Sequence, residues 1–164
     1  MLGNENPRTW RENPVSPACP IYAWAVIPPA TCCTTSVRVR YCECDPMGVA
    51  HHASYVPWLE IGRTELLRSS GVSYASLEAG GLLLVIVALE VRYRRPVRYD
   101  DVVQIRTTWS GGGRVKILHQ YELTVTEREG NPCDIPVAAA ATTLGAVDRG
   151  GRIRELPEWL VWRS

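Results

Sequence analysis

One helical period stands alone in this sequence. Between Ser54 and Gly71 the residues Val56, Leu59, Gly62 or Arg63, and Leu66 recur at helical spacing, whereas almost everything after Gly80 alternates with the two-residue period of strands. A chain with one amphipathic helix and several half-buried strands must lay that helix on one face of a sheet. Ser54 is placed to cap the helix, Pro57 falls in a first turn whose N–H groups have no helical partners, and Gly71 stops it. A helix over about 54–70 spans roughly 25 Å.

The strands follow from alternation and turn chemistry. Val37, Val39 and Tyr41 alternate with Arg38 and Arg40, so a strand starts at Ser36 and ends at the turn Asp45-Pro46-Met47-Gly48. Leu82–Tyr93 forms a long second strand, and Val103–Trp109 a third. Ser110-Gly111-Gly112-Gly113 turns a hairpin into Val115–Val125, and Glu129-Gly130-Asn131-Pro132 closes the next one. Val137–Val147 is read as the last strand: Ala138–Ala141 favours helix, but Thr142, Thr143 and Gly145 do not, and alanines on one face let a helix approach the sheet. Asp148–Gly151 makes a turn and Pro157–Trp162 a terminal helical turn. The expected class is α+β, with a largely antiparallel sheet and one long helix on one face. The other face needs cover, which predicts a homodimer or homotetramer.

Composition narrows the partners. The 164 residues suit one domain over 36–164, preceded by a Pro-, Asn- and Thr-rich irregular extension over 1–35. A net charge of +1 gives no reason to expect a nucleic-acid partner, and no apolar run approaches the roughly 20 residues of a membrane span, so no membrane insertion is expected. The six cysteines form no CxxC pair. The expectation is therefore no metal site and reduced thiols in a cytoplasmic protein.

The chemistry-bearing residues crowd ahead of the helix. Asp45, Gly48, His51 and His52 place a carboxylate, a tight turn and two imidazoles beside a helix N-terminus, a set of parts suited to acyl chemistry. Backbone N–H groups of 48–54 are candidates to hold a developing oxyanion. Asp45 read without its context is also an ordinary turn-capping residue before Pro46. Glu60 and Glu65 lie on the helix, where Glu60 either competes for the carboxylate role or pairs with Arg63.

The run Val39-Arg40-Tyr41-Cys42-Glu43-Cys44-Asp45-Pro46-Met47-Gly48-Val49-Ala50-His51-His52-Ala53-Ser54-Tyr55, continued by Trp58-Leu59-Glu60 and Arg63-Thr64-Glu65-Leu66-Leu67-Arg68, resembles the 4-hydroxybenzoyl-CoA thioesterase family. It is especially similar to the bacterial acyl-CoA thioesterase branch associated with the Tol-Pal gene cluster. The resemblance implies a hotdog fold, in which a long central helix is wrapped by a five-stranded antiparallel sheet and sites lie at a dimer interface. It implies hydrolysis of an acyl-CoA or acyl carrier protein thioester without a cofactor, coenzyme A being part of the substrate. It assigns Asp45 as nucleophile or general base, and His52, seven residues later, as the active-site histidine. His51 stands where relatives commonly carry an aromatic or apolar side chain and is a secondary candidate. Tyr41 matches a family tyrosine that either lines the acyl pocket or packs in the core. Arg114 and Lys116 lie near where some relatives bind nucleotide phosphates, and Arg92, Arg94, Arg95 and Arg98 form a second basic cluster. Two other readings stay open: a hotdog hydratase or dehydratase, and a non-catalytic acyl-thioester binder.

Overall fold

A computed structural model describes residues 30–161, so most of the expected extension and Trp162 lie outside the described residues. Five strands form one antiparallel sheet in the order β1-β3-β4-β5-β2, where β1 is Cys32–Arg38, β2 Leu83–Tyr93, β3 Val102–Gly112, β4 Lys116–Arg128 and β5 Asn131–Val147. Between β1 and β2 run the long helix α1, Tyr55–Ser69, and a short helix α2, Tyr74–Ala79. At about 1.5 Å per residue the 15 residues of α1 give it a length near 22 Å.

Period-2 alternation is carried cleanly by β3 and β4. Val103, Ile105, Thr107 and Trp109 face inward from one, and Ile117, His119, Tyr121, Leu123 and Val125 from the other, all buried. In β5 the alanines split between faces, Ala138 and Ala140 inward and buried, Ala139 and Ala141 outward. Pairing with β4 on one side and β2 on the other supplies ladder bonds that a helix would have supplied internally, and this overrides alanine's helix preference. The strand begins earlier than expected, at Asn131, because the turn is made by Glu129 and Gly130, both with positive φ. Register shifts opposite Pro132 and Pro136 absorb prolines that have no N–H to donate.

Helix α1 lies over β1 and β3. Its buried stripe is Tyr55, Trp58, Leu59, Gly62, Arg63, Leu66 and Leu67, and Val56, expected on that stripe, is exposed instead. The closest approach is at Gly62, where a side-chain carbon would collide with Thr107 Oγ1 of β3. Gly71, at φ +80°, ends the helix through an N–H bond to the Arg68 carbonyl at 2.9 Å, as its sequence position predicts.

Three local expectations are corrected. The first strand begins at Cys32, which pairs with Thr108, and stops at Arg38; Tyr41 then lies in a 3-10 turn, 81% exposed rather than in the core. Ser54 already has helical backbone angles and caps nothing: its hydroxyl donates to the Glu43 carbonyl at 2.8 Å. Helix α2 was not read from the sequence, since its six residues are too few to show a period.

Candidate active site

The expected Asp45 turn is a miniature hairpin, with Cys44 and Ala50 paired at its base. Gly48 N–H donates to the Asp45 carbonyl and Asp45 N–H to the Val49 carbonyl, each at 2.9 Å. Gly48 sits at φ +76° with open space around its Cα, so glycine is required there by conformation rather than by room. Asp45 Oδ1 accepts the Met47 N–H at 2.8 Å. That bond fixes the carboxylate, while Oδ2 has no protein partner among the described residues.

The hairpin is braced by Glu43, a residue the sequence reading did not single out. Its carboxylate, 8% exposed, accepts the Arg40 N–H at 2.8 Å, the Arg40 guanidinium at 2.9 Å and the Trp58 indole N–H at 3.0 Å. Its carbonyl accepts His51 N–H and the Ser54 hydroxyl, both at 2.8 Å. One residue thus ties the end of the first strand, the entry to α1 and the core of that helix together. Burial pushes the Glu43 carboxyl up, but the bonds from Arg40 and Trp58 outweigh it and leave the group below its ordinary value. Its sequence signal was a carboxylate three residues after an arginine; its other partner, Trp58, is fifteen residues away.

The two histidines divide their tasks. His51 Nδ1 accepts Ala53 N–H at 3.2 Å, which makes His51 the cap of the short 3-10 turn His52–Ser54 that leads into α1. Among the described residues the His52 ring makes no hydrogen bond, and it lies against that of His51, with ring centroids 4.0 Å apart. The backbone around them is more fully used than expected. Gly48, Ala50, His51, Ala53 and Ser54 all spend their N–H groups inside the chain, leaving Val49 and His52 without acceptors among the described residues. Tyr93, at the end of β2, donates its hydroxyl to the His52 carbonyl at 3.1 Å and packs edge-on against buried Tyr55. Tyr41 stands at the rim, its ring edge-on to that of Tyr99 at 5.6 Å.

Other expected residues lie elsewhere in the chain. The Asp45 loop adjoins the start of β3, since Val39 and the Asp100–Asp101 pair exchange backbone bonds of 2.9 and 3.0 Å. Arg114 and Lys116 sit at the far end of β3, about 33 Å away at roughly 3.3 Å per residue. Arg114 is there ion-paired with Glu155 at 2.8 Å. Glu60 is exposed and holds Arg63 at 2.9 Å, the surface pairing foreseen for it. Among the described residues no group of three or more His, Cys, Asp or Glu is arranged to hold a metal.

Comparison with known proteins fits this geometry. A model of the thioesterase-like superfamily matches residues 39–162. The chain is 32% identical over 87 residues to the putative acyl-CoA thioesterase YneP of Bacillus subtilis, covering 53% of this chain and 63% of YneP. It is 42% identical over 71 residues to the acyl-CoA thioester hydrolase YbgC of Escherichia coli, covering 43% of this chain and 53% of YbgC. It therefore spans less than two thirds of the length of either relative. Its fold matches that of 4-hydroxybenzoyl-CoA thioesterase from a Pseudomonas strain with a TM-score of 0.68 at 21% identity, over 79% of this chain and 94% of that one. The expected hotdog architecture is thus the observed one, and the chain belongs to the thioesterase-like superfamily.

Proposed function

We propose that this protein is an acyl-CoA thioesterase. The observation that carries the reading is a carboxylate fixed through Oδ1 with Oδ2 free, in a braced loop that also presents an unpaired His52 N–H at the entry to a helix. In thioester hydrolysis the carbonyl carbon gains an oxygen, the C–S bond breaks and sulfur leaves as a thiolate. Asp45 Oδ2 acts either by attacking that carbon directly, giving an acyl-Asp45 anhydride that water then hydrolyses to the free acid, or by taking a proton from the attacking water. The His52 N–H, reinforced by the positive end of α1, donates to the oxygen on which negative charge develops. The His52 ring, with no hydrogen bond among the described residues, serves proton transfer. His51 keeps the turn in shape.

The site calls for a second copy. Val85, Ile86, Val87, Leu89 and Tyr93 of the edge strand β2, with Val56 and Ile61 of α1, are exposed large apolar residues, and β2 ends at Tyr93 on the loop that carries His52. An open apolar edge strand is a template for pairing, so we assign this side to a homodimer interface that completes the acyl pocket. The free thiols Cys32, Cys33, Cys42, Cys44 and Cys133 suit a reducing, cytoplasmic setting.

A panel of aliphatic and aromatic acyl-CoAs, assayed for free thiol, tests the reading. Thiol release above background with at least one acyl group is expected. Loss of enoyl absorbance without thiol release would instead indicate a hydratase, and saturable binding with neither reaction a non-catalytic binder.

A further inference from the structure

The segment joining β2 to β3 follows the candidate site loop contact by contact. Tyr93 bonds the His52 carbonyl at 3.1 Å, the Val97 carbonyl accepts Ala50 N–H at 2.8 Å, Arg98 pairs with Val49, and Tyr99 meets the ring of Tyr41. Between these contacts the segment carries Arg94, Arg95 and Arg98, so three guanidinium groups stand within five residues on the rim of the site.

The segment is firmly held. Buried Asp101 receives both prongs of Arg128, at 2.9 and 2.7 Å, together with the Arg98 N–H at 2.8 Å. Arg128 also donates to the Pro96 carbonyl at 3.0 Å, and Val97 is buried. These bonds take up the negative charge of the segment itself. Asp101 is neutralised by Arg128, Asp100 pairs with Arg38 at 3.3 Å, and Arg98 has only an exposed, long pairing of 3.8 Å with Glu129. Arg94 and Arg95 both direct their backbone N–H to the Val137 carbonyl, and neither guanidinium has a partner among the described residues. The rim therefore carries uncompensated, exposed positive charge on a rigid backbone.

We infer that Arg94, Arg95 and Arg98 form the subsite for the nucleotide phosphates of an acyl-CoA, in place of the same chain's Arg114 and Lys116. The inference rests on the thioesterase reading for its substrate. Guanidinium forks bind phosphate through paired charge-assisted bonds, and a preformed cationic rim also speeds encounter with a multiply charged ligand. Three arginines in five residues suit one compact polyphosphate. An acidic carrier protein would spread its contact over about 800 Å² per partner and draw on cations across much more of the surface.

The test compares one acyl group carried on coenzyme A and on pantetheine, which lacks the nucleotide phosphates. The wild-type protein is expected to favour the CoA thioester in kcat/KM, chiefly through KM, with a preference that falls as salt is added. In the Arg94→Gln/Arg95→Gln variant that preference falls about tenfold, the effect of losing one good charge-assisted contact. In Arg114→Gln/Lys116→Gln it persists. The inference is overturned by an unchanged preference in the first variant, by equal losses on both thioesters, by a loss that follows Arg114 and Lys116, or by a loss confined to a carrier-protein thioester. Binding of free coenzyme A, measured by calorimetry, needs no turnover and separates this inference from the thioesterase reading. Affinity about tenfold weaker in the first variant supports the subsite even if neither thioester is cleaved, and equal affinity removes it.

Discussion

The two halves of α1 treat buried polar groups in opposite ways. At the N-terminal end the buried carboxylate of Glu43 is fully engaged by Arg40 and Trp58, and the loop above it is fixed by a short hairpin. From the middle of α1 onward Arg63 Nε, Thr107 Oγ1, which lies against Gly62, and His119 Nδ1 are buried with no hydrogen-bond partner among the described residues. Arg63 and His119 there line a cavity of about 20 Å³ whose other walls include Leu66, Leu67, Trp109 and Ile117. Unsatisfied buried groups cost stability, and satisfied ones fix geometry. The difference locates precision in the Asp45 half and tolerance in the other.

Removing the brace has the largest expected effect on stability. Glu43→Ala strands the buried Trp58 indole, at about 1–3 kcal/mol for a buried donor left unpaired, and removes the acceptor of the part-buried Arg40 N–H, so a loss of up to about 4 kcal/mol is expected by denaturant unfolding. Glu43→Gln keeps an acceptor in place and loses less. A stability change below about 1 kcal/mol in Glu43→Ala would show that the Asp45 loop is held by something else.

Next comes the unpaired half. Burial, and then the charge of Arg63, hold the His119 imidazole down at about 4, against 6.5 when free. Between those values the unfolded chain binds a proton that the folded chain refuses, so stability falls as pH drops from 6.5 towards 4. The loss attributable to His119 is about 3 kcal/mol. Unfolding measured at pH 7 and pH 4.5 is expected to show a smaller acid-induced loss for His119→Leu than for the wild type; equal losses would mean that His119 is protonated in the fold. Smallest is Thr107→Val, which removes a hydroxyl that bonds nothing among the described residues and is expected to change stability by less than about 1 kcal/mol, in either direction. A large loss there would reveal a partner for Thr107 and weaken the contrast between the two halves.

What could be read from the sequence followed from how local each signal was. Val103 to Trp109 and Val115 to Val125 alternate because one face of each strand is buried along its whole length, and α1 declares itself through Pro57, Leu59, Leu66 and Gly71. The Asp45 turn was legible for the same reason, since Pro46 and Gly48 impose it locally. Glu43 was not, because its role depends on Trp58 arriving from the helix. Tyr93 and the Arg94–Arg98 segment were not placed at the site, because strand order brings them there from forty or more residues away. Ser54 misled because the short turn before α1 passed the capping task to His51. Tyr41 continued a strand alternation that the chain abandons at Arg38.

The most direct measurement is thiol release by Asp45→Asn on the acyl-CoA that the wild type cleaves fastest. Asparagine keeps an oxygen to accept the Met47 N–H, so the loop and the unfolding midpoint should be retained while the anionic oxygen is lost. The account predicts a fall in kcat/KM of about 10²–10⁴-fold with the melting temperature unchanged. Activity within a few-fold of the wild type in the folded variant would contradict it.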